Sequence, residues 1–252
     1  MSEKQPKKKK TAGDVVLTVV LIAAICVFCY AGYNLFHIYT EYKKGTDEYN
    51  SITQMAVTER DPDGEAAGPE AGSELKAPMD IDFASLKSVN DDVVGWIYVE
   101  AVPDINYPIV HGKDNETYLH RTYEKNYNFA GTIFVDYENK GDFSDCNTIV
   151  YGHNMKNGSM FGSIHSFEDE TFFDGHPYIY VYTENERLTY EIYEAAKFTD
   201  VYIPSEYVIS SKDDRDQFLA DVREKVSDNK LHVREDMEIG EDDMKGVPTG
   251  RG

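Results

Sequence analysis

Seven histidines and three cysteines are the residues of this 252-residue chain best suited to acid–base or nucleophilic chemistry. Six of the histidines sit in ordinary contexts. His37 follows a long apolar run and His232 lies among charges, while His111, His120, His165 and His176 form neither an HExxH pattern nor an i,i+4 pair. No metal site is expected from them, and the excess acid lacks the spaced ligand set of a calcium loop. His153 differs. It follows the run NTIVY directly, in YGHNM, and precedes a Gly/Ser/Asn loop, Lys156–Ser159. A histidine leaving a strand end into such a loop faces a cleft, where an imidazole can give and take protons near neutral pH. The cysteines offer it no partner. Cys26 and Cys29 lie inside the apolar run, and Cys146 precedes NTIVY. If NTIVY is extended, Cys146 stands roughly 20 Å from His153 at about 3.3 Å per residue, whereas a thiolate–imidazole pair needs about 3–4 Å. Cys146 is read as a small loop thiol, and the three cysteines make no disulfide framework.

The elements that position these residues begin with an anchor. Val15–Tyr33 reads VVLTVVLIAAICVFCYAGY, without a charge. At about 1.5 Å per helical residue it spans roughly 28 Å, close to a bilayer's hydrocarbon thickness. No A-x-A site closes the run, and Ile25 and Phe28, not small residues, precede the two cysteines. Tyr30, Tyr33, Phe36 and Tyr39 resemble an interfacial aromatic belt, so residues 15–36 are read as an uncleaved signal-anchor. Lys4 and Lys7 to Lys10 make residues 1–14 a basic tail. The positive-inside rule keeps that tail cytoplasmic and exports the rest, giving a single-pass cell-membrane protein. The net charge of −21 repels phosphate backbones, so no nucleic-acid partner is expected.

Residues 37–60 read as a helical stalk and 61–79 as a flexible acidic linker rich in Gly, Ala, Pro and Glu. Beyond it the pattern is mainly β. A short helix is expected over Asp82–Val89 and one helical turn over Asn115–His120. Strands are expected over Val93–Val99, Tyr107–Val110, Gly131–Asp136 and Asn147–Tyr151, and a hairpin joins Tyr178–Tyr182 to Leu188–Tyr193. Ser211 and Asp214 open a last helix that runs to about Asp228. Many short strands with few helices imply a small barrel.

The strings NTIVYGHNMKNGSMFGSI (Asn147–Ile164) and FFDGHPYIYVYT (Phe172–Thr183) resemble the central signature of the class B sortases. VVGWIYV, INYPIVHGKDNETYL (Ile105–Leu119) and NFAGTIFVDYENKGDFSD (Asn128–Asp145) match the same family in order, so the resemblance covers about Asp80 to Glu238. It implies a membrane-anchored cysteine transpeptidase of Gram-positive bacteria, without a cofactor, on a β-barrel with peripheral helices. Such enzymes cleave C-terminal sorting signals of surface proteins and join them to a peptidoglycan or pilin amine. On this match His153 takes the place of the catalytic histidine, and the helix near Asp213–Asp228 resembles the extra helix of class B.

The resemblance also implies a nucleophile, a cysteine ending the seventh strand in a TLSTC-like motif, and an oxyanion arginine on the eighth. This chain offers neither. After MEIGEDD (Met237–Asp243) it continues MKGVPTGRG, no cysteine follows Cys146, and Arg251 is a poor match for the arginine. The domain, residues 80–239, is therefore expected as a barrel incomplete at its C-terminal strands. Residues 240–252 are expected as an aberrant, disordered tail without a strand pattern, unless that tail or a second copy pairs with the open edge. Three readings follow: a sortase cut short or frame-shifted in this chain, a catalytically dead module that binds sorting-signal peptides or a wall partner, or an acidic, membrane-tethered structural module.

Overall fold

The computed structural model describes residues 12–59, 78–197, 202–226, 231–234, 237 and 247–251. The basic tail up to residue 11, most of the linker, residues 240–246 and the end of the last helix beyond Val226 lie outside them. The chain divides into two compact units, Met1–Lys44 and Gly45–Gly252.

In the first unit the described residues belong to one helix, α1 (Ala12–Ala56), which continues into the second. Leu17, Val19, Ile22 and Phe28 are all exposed. Among the described residues α1 is the one helix long and apolar enough to cross a membrane.

The second unit starts inside that helix. Gly45, Tyr49, Ile52 and Ala56 are buried at spacings of four, three and four residues, a single stripe on the helix surface. The segment expected as a free stalk is therefore part of the domain from Gly45 onward. The reason is packing: the stripe is buried, Tyr49 reaches Gly131 O with its hydroxyl, and Glu48 Oε1 accepts the Glu124 amide at 3.0 Å beside it. The chain then turns into β1 (Val57–Glu59), which pairs antiparallel with β2 (Met79–Ile81), Val57 opposite Ile81. The Asp82 amide donates to Ala56 O at 2.8 Å and closes the junction.

Helix α2 (Phe83–Val89) starts where Asp82 caps it: its carboxylate accepts from the Ser85 amide, which satisfies one of the free N–H groups of the first turn. The main sheet follows. It contains β3 (Val93–Tyr98), β4 (Asn106–His111), β5 (Ile133–Val135), β6 (Ile149–His153), β7 (Tyr178–Tyr182), β8 (Arg187–Glu191) and β11 (Val247–Arg251), in the order β11-β6-β5-β4-β3-β7-β8. The sheet curls without closing, β11 and β8 being its outer strands. Both of its faces are covered: Ile109 and Ile133 lie on one, Trp96, Phe134 and Ile149 on the other, all essentially without solvent contact. On β8 exposure alternates residue by residue, as expected of an edge strand with one face packed. A second pair, β9 (Glu194–Ala196) with β10 (Leu231–Val233), lies outside the main sheet. Around these pack a 3₁₀ turn (Gly162–Glu168), α3 (Glu170–Gly175), α4 (Ile203–Glu206) and α5 (Lys212–Lys225), the last capped by Ser211 through the Asp214 amide.

Two local expectations change. Residues 115–120 form turns instead of a helical turn, because Asp114 Oδ1 takes the Glu116 and Thr117 amides at 2.9 and 2.6 Å and competes with helical bonding. The segment Val247–Arg251, read above as lacking a strand pattern, is a strand. It runs parallel to β6 with Val247 opposite Ile149 and Arg251 opposite His153. The physical reason is the edge: β6 presents a row of backbone groups that an extended segment can satisfy. Pro248 is tolerated because an outer strand needs bonds on one side only. The expectation of a disordered tail therefore does not hold over Val247–Arg251.

If the α1 stripe belongs to the core, Ile52→Ala should cost about 2–4 kcal/mol, as for other buried large-to-small changes. Urea unfolding of the 252-residue chain in detergent, followed by tryptophan fluorescence of Trp96, checks this. A change below about 0.5 kcal/mol would mean that the helix end is not docked.

Candidate active site

His153 is the last residue of β6, half-buried, and its placement follows from the residues on either side. A Cβ on Gly152 would lie 2.4 Å from Ile133 Cδ1 and 2.7 Å from Phe161 Cδ2, so only glycine lets β5 and the returning loop press against the strand here. That loop leaves at Asn154, makes a bridge between Asn154 and Met160, and returns with the Phe161 amide donating to His153 O at 3.0 Å. Met160 holds a left-handed φ of 54°, and its amide donates to the Tyr107 hydroxyl at 3.2 Å. Burial raises the Tyr107 phenol above its ordinary pKa, so that hydroxyl stays neutral through the physiological range.

The ring is held by a backbone atom. His153 Nε2 lies 2.7 Å from Leu119 O. A carbonyl only accepts, so Nε2 carries the proton in this arrangement and Nδ1 is the nitrogen left for proton exchange. His120 stacks on the same imidazole, ring centroids 5.9 Å apart and planes inclined by 24°.

Leu119 O is set in turn by Gly131. Gly131 has a φ of +61°, and a Cβ there would stand 2.6 Å from both Leu119 O and Tyr118 O. Only glycine brings the two strands of backbone together. The contact is fastened by the Thr132 amide to Tyr118 O at 3.0 Å and by Thr132 Oγ1 to Arg121 O at 2.7 Å. From the opposite side buried Asn90 donates to the Tyr118 hydroxyl and to Tyr123 O, at 2.9 and 2.8 Å, and Tyr118 donates to Asp92 at 2.6 Å.

Asp136, fully buried just after β5, forms a second fixed point. It accepts from Asn115 Nδ2 at 2.9 Å, the Tyr151 hydroxyl at 2.8 Å and the Glu138 amide at 2.9 Å. It thereby locks β6 two residues before His153. Beyond the loop, His165 spans two oxygens, Glu168 Oε1 at 2.5 Å and Asn154 Oδ1 at 3.0 Å, and Lys197 lies 3.4 Å from the same Glu168 oxygen.

The other sequence candidates lie elsewhere. Cys146 is exposed, ahead of β6, with Sγ 3.7 Å from Ser210 O, while His153 ends that strand. Cys26 and Cys29 belong to the apolar part of α1. His176 packs on Phe172, His232 binds Glu168 O at 2.9 Å, and His111 Nε2 is buried without a hydrogen-bond partner. The backbone of Arg251 stands opposite His153. Sequence reasoning singled out His153 but not Leu119, Gly131, His120 and Asp136, which pack around it or brace its strand.

A curled mixed sheet whose central signature strand ends in His153 is the arrangement that known proteins can now be compared with. The sortase domain family model matches residues 97–225, half of the chain. The chain belongs to the class B sortases. It is 41% identical over 124 residues to sortase B of Listeria monocytogenes, a match spanning 48% of this chain and 49% of that protein. It is 28% identical over 211 residues to sortase B of Staphylococcus aureus, spanning 83% of this chain and 80% of that one. The chain thus spans about half the length of the first relative and four fifths of the second. A crystal structure of sortase B from Bacillus anthracis superposes with a TM-score of 0.64 at 29% identity, covering 85% of this chain and 93% of that one. The sortase-like half-barrel with its helices is therefore the family's fold.

Two predictions follow from the geometry of this sortase. Gly131→Ala must both strain a left-handed φ and push back two carbonyls, so it should destabilise the chain by about 2 kcal/mol or more and shift the His153 ring signals. Urea unfolding with histidine-selective NMR reads both, and an unchanged ring would contradict the arrangement. The second concerns pH. The bond from His165, followed by Lys197 and opposed by slight desolvation, holds the Glu168 carboxyl below its ordinary value. A value lowered on folding stabilises above the unfolded pKa of about 4.3 and ceases to do so as pH falls through the lowered value. His165→Gln should raise the Glu168 midpoint toward the ordinary value in an NMR titration, and an unmoved midpoint would contradict the pairing.

Proposed function

We propose that this sortase-family domain is built for sortase-type acyl transfer at His153, on the outer face of the cell membrane. The substrate class is surface proteins bearing C-terminal sorting signals, and the acceptor is an amine of peptidoglycan or a pilin. The observation that supports the reading is His153 itself: a half-buried imidazole at a strand end, oriented through Nε2 by a backbone carbonyl and inside the family's matched region. Its role is to give a proton to the leaving amine and take one from the incoming nucleophile. Residues 15–36 of α1 anchor the domain, with the lysine-rich tail in the cytoplasm and the domain outside.

The nucleophile separates this reading from its rival. Cys146 lies in a bend three residues ahead of β6 with its Sγ against Ser210 O, whereas His153 is the last residue of that strand, so β6 separates the two. Cys26 and Cys29 belong to the apolar part of α1, so on this reading none of the three cysteines serves as the nucleophile. The rival reading is a domain that binds sorting-signal peptides or a wall partner without turning them over.

Incubation of the 252-residue chain with sorting-signal peptides and an amine acceptor is expected to give no product. Supplying a thiol at the position level with His153, as Arg251→Cys, is expected to create a thiol alkylated by iodoacetamide with a pH profile that His153→Gln changes. Product formed by the parent chain and abolished by Cys146→Ala would overturn the geometric argument.

A further inference from the structure

The segment that holds the His153 ring and the loop that bonds its main chain meet at one residue outside the sheet. Tyr49, buried on α1, donates its hydroxyl to Gly131 O at 2.7 Å and lies 3.2 Å from Thr132 Oγ1. Gly131 is the residue whose left-handed turn packs against Leu119 O, the acceptor of the imidazole. The edge of the Tyr49 ring also meets the Tyr107 ring, centroids 5.2 Å apart at 80°. Tyr107 takes the Met160 amide in the loop that returns to His153 O through Phe161. Two short routes, one polar and one aromatic, therefore run from Tyr49 to His153, the first to its ring through Leu119 O and the second to its backbone carbonyl through Phe161.

We infer that Tyr49 is a positioning residue for His153, holding from α1 both the carbonyl that orients the ring and the loop that closes over its backbone. Burial keeps the Tyr49 phenol protonated far above physiological pH, so its hydroxyl is a constant donor. The helix end is thus a working part of the site. Its importance for catalysis rests on the acyl-transfer reading above, but the effect on the ring does not.

The experiment uses the full 252-residue chain in detergent micelles, labelled with ¹⁵N at histidine. Tyr49→Phe keeps the ring and removes the donor. It is compared with Phe218→Leu, a core change on α5 chosen to lower stability without touching either route, and with Tyr107→Phe, which cuts the second route alone. Losing one ordinary hydrogen bond corresponds to about a fivefold change in an equilibrium. Tyr49→Phe should therefore raise the exchange rate of the His153 Nε2 proton about fivefold and increase the Nδ1–H tautomer, while Phe218→Leu leaves both as in the parent. Tyr107→Phe should produce a smaller change in the same direction. An unchanged ring in Tyr49→Phe, or a change that Phe218→Leu matches, overturns the inference. Because the ring is read directly, an inactive chain leaves the inference standing, and an immobile ring defeats it whatever the activity.

Discussion

The arrangement around His153 depends on a close approach of backbone to backbone. Gly131 adopts a conformation that L side chains rarely tolerate and in doing so lies against the carbonyls of Tyr118 and Leu119. Leu119 O then faces the imidazole and dictates which nitrogen carries the proton. A side-chain acceptor could rotate away or titrate; a carbonyl in a clamped turn does neither. Orientation of this imidazole is thus written into main-chain geometry, and the surrounding hydrogen bonds from Thr132, Asn90 and Tyr118 serve to keep that turn in place.

Buried tyrosines carry much of this support. Tyr49, Tyr107, Tyr118, Tyr123 and Tyr151 each place a ring in the core and engage a polar partner through the hydroxyl. The same residues explain how a chain with a net charge of −21 keeps an ordered interior. Its acids lie mostly outside, and Asp136, the buried exception, is satisfied by an amide side chain, a phenol and a main-chain N–H. β6 is consequently fixed at Tyr151 and at Gly152 before it reaches the histidine.

Much of the sheet was legible from residue pattern. Val93–Val99, Tyr107–Val110 and the hairpin from Tyr178 read as strands because β-branched and aromatic residues cluster between turn formers, and the observed strands lie within a residue or two of those bounds. His153 was legible because its context, a strand followed by a Gly/Ser/Asn loop, is local. Leu119 was not, since a backbone acceptor leaves no trace in side-chain chemistry. The role of Gly131 depends on a φ value and on residues twelve positions away. The docked end of α1 did carry a signal, the spacing of Gly45, Tyr49, Ile52 and Ala56, but a stripe says that a helix is covered without saying by what. β11 escaped because pairing at an open edge rewards any extended backbone, whatever its sequence.

The most direct test of this account is the tautomer of His153 in the parent chain. Nitrogen-15 chemical shifts of the neutral imidazole distinguish a proton on Nε2 from one on Nδ1. A ring held by Leu119 O must show the Nε2–H form, with Nδ1 bare. A dominant Nδ1–H form, or rapid averaging between the two, would contradict the claim that a clamped carbonyl orients this histidine.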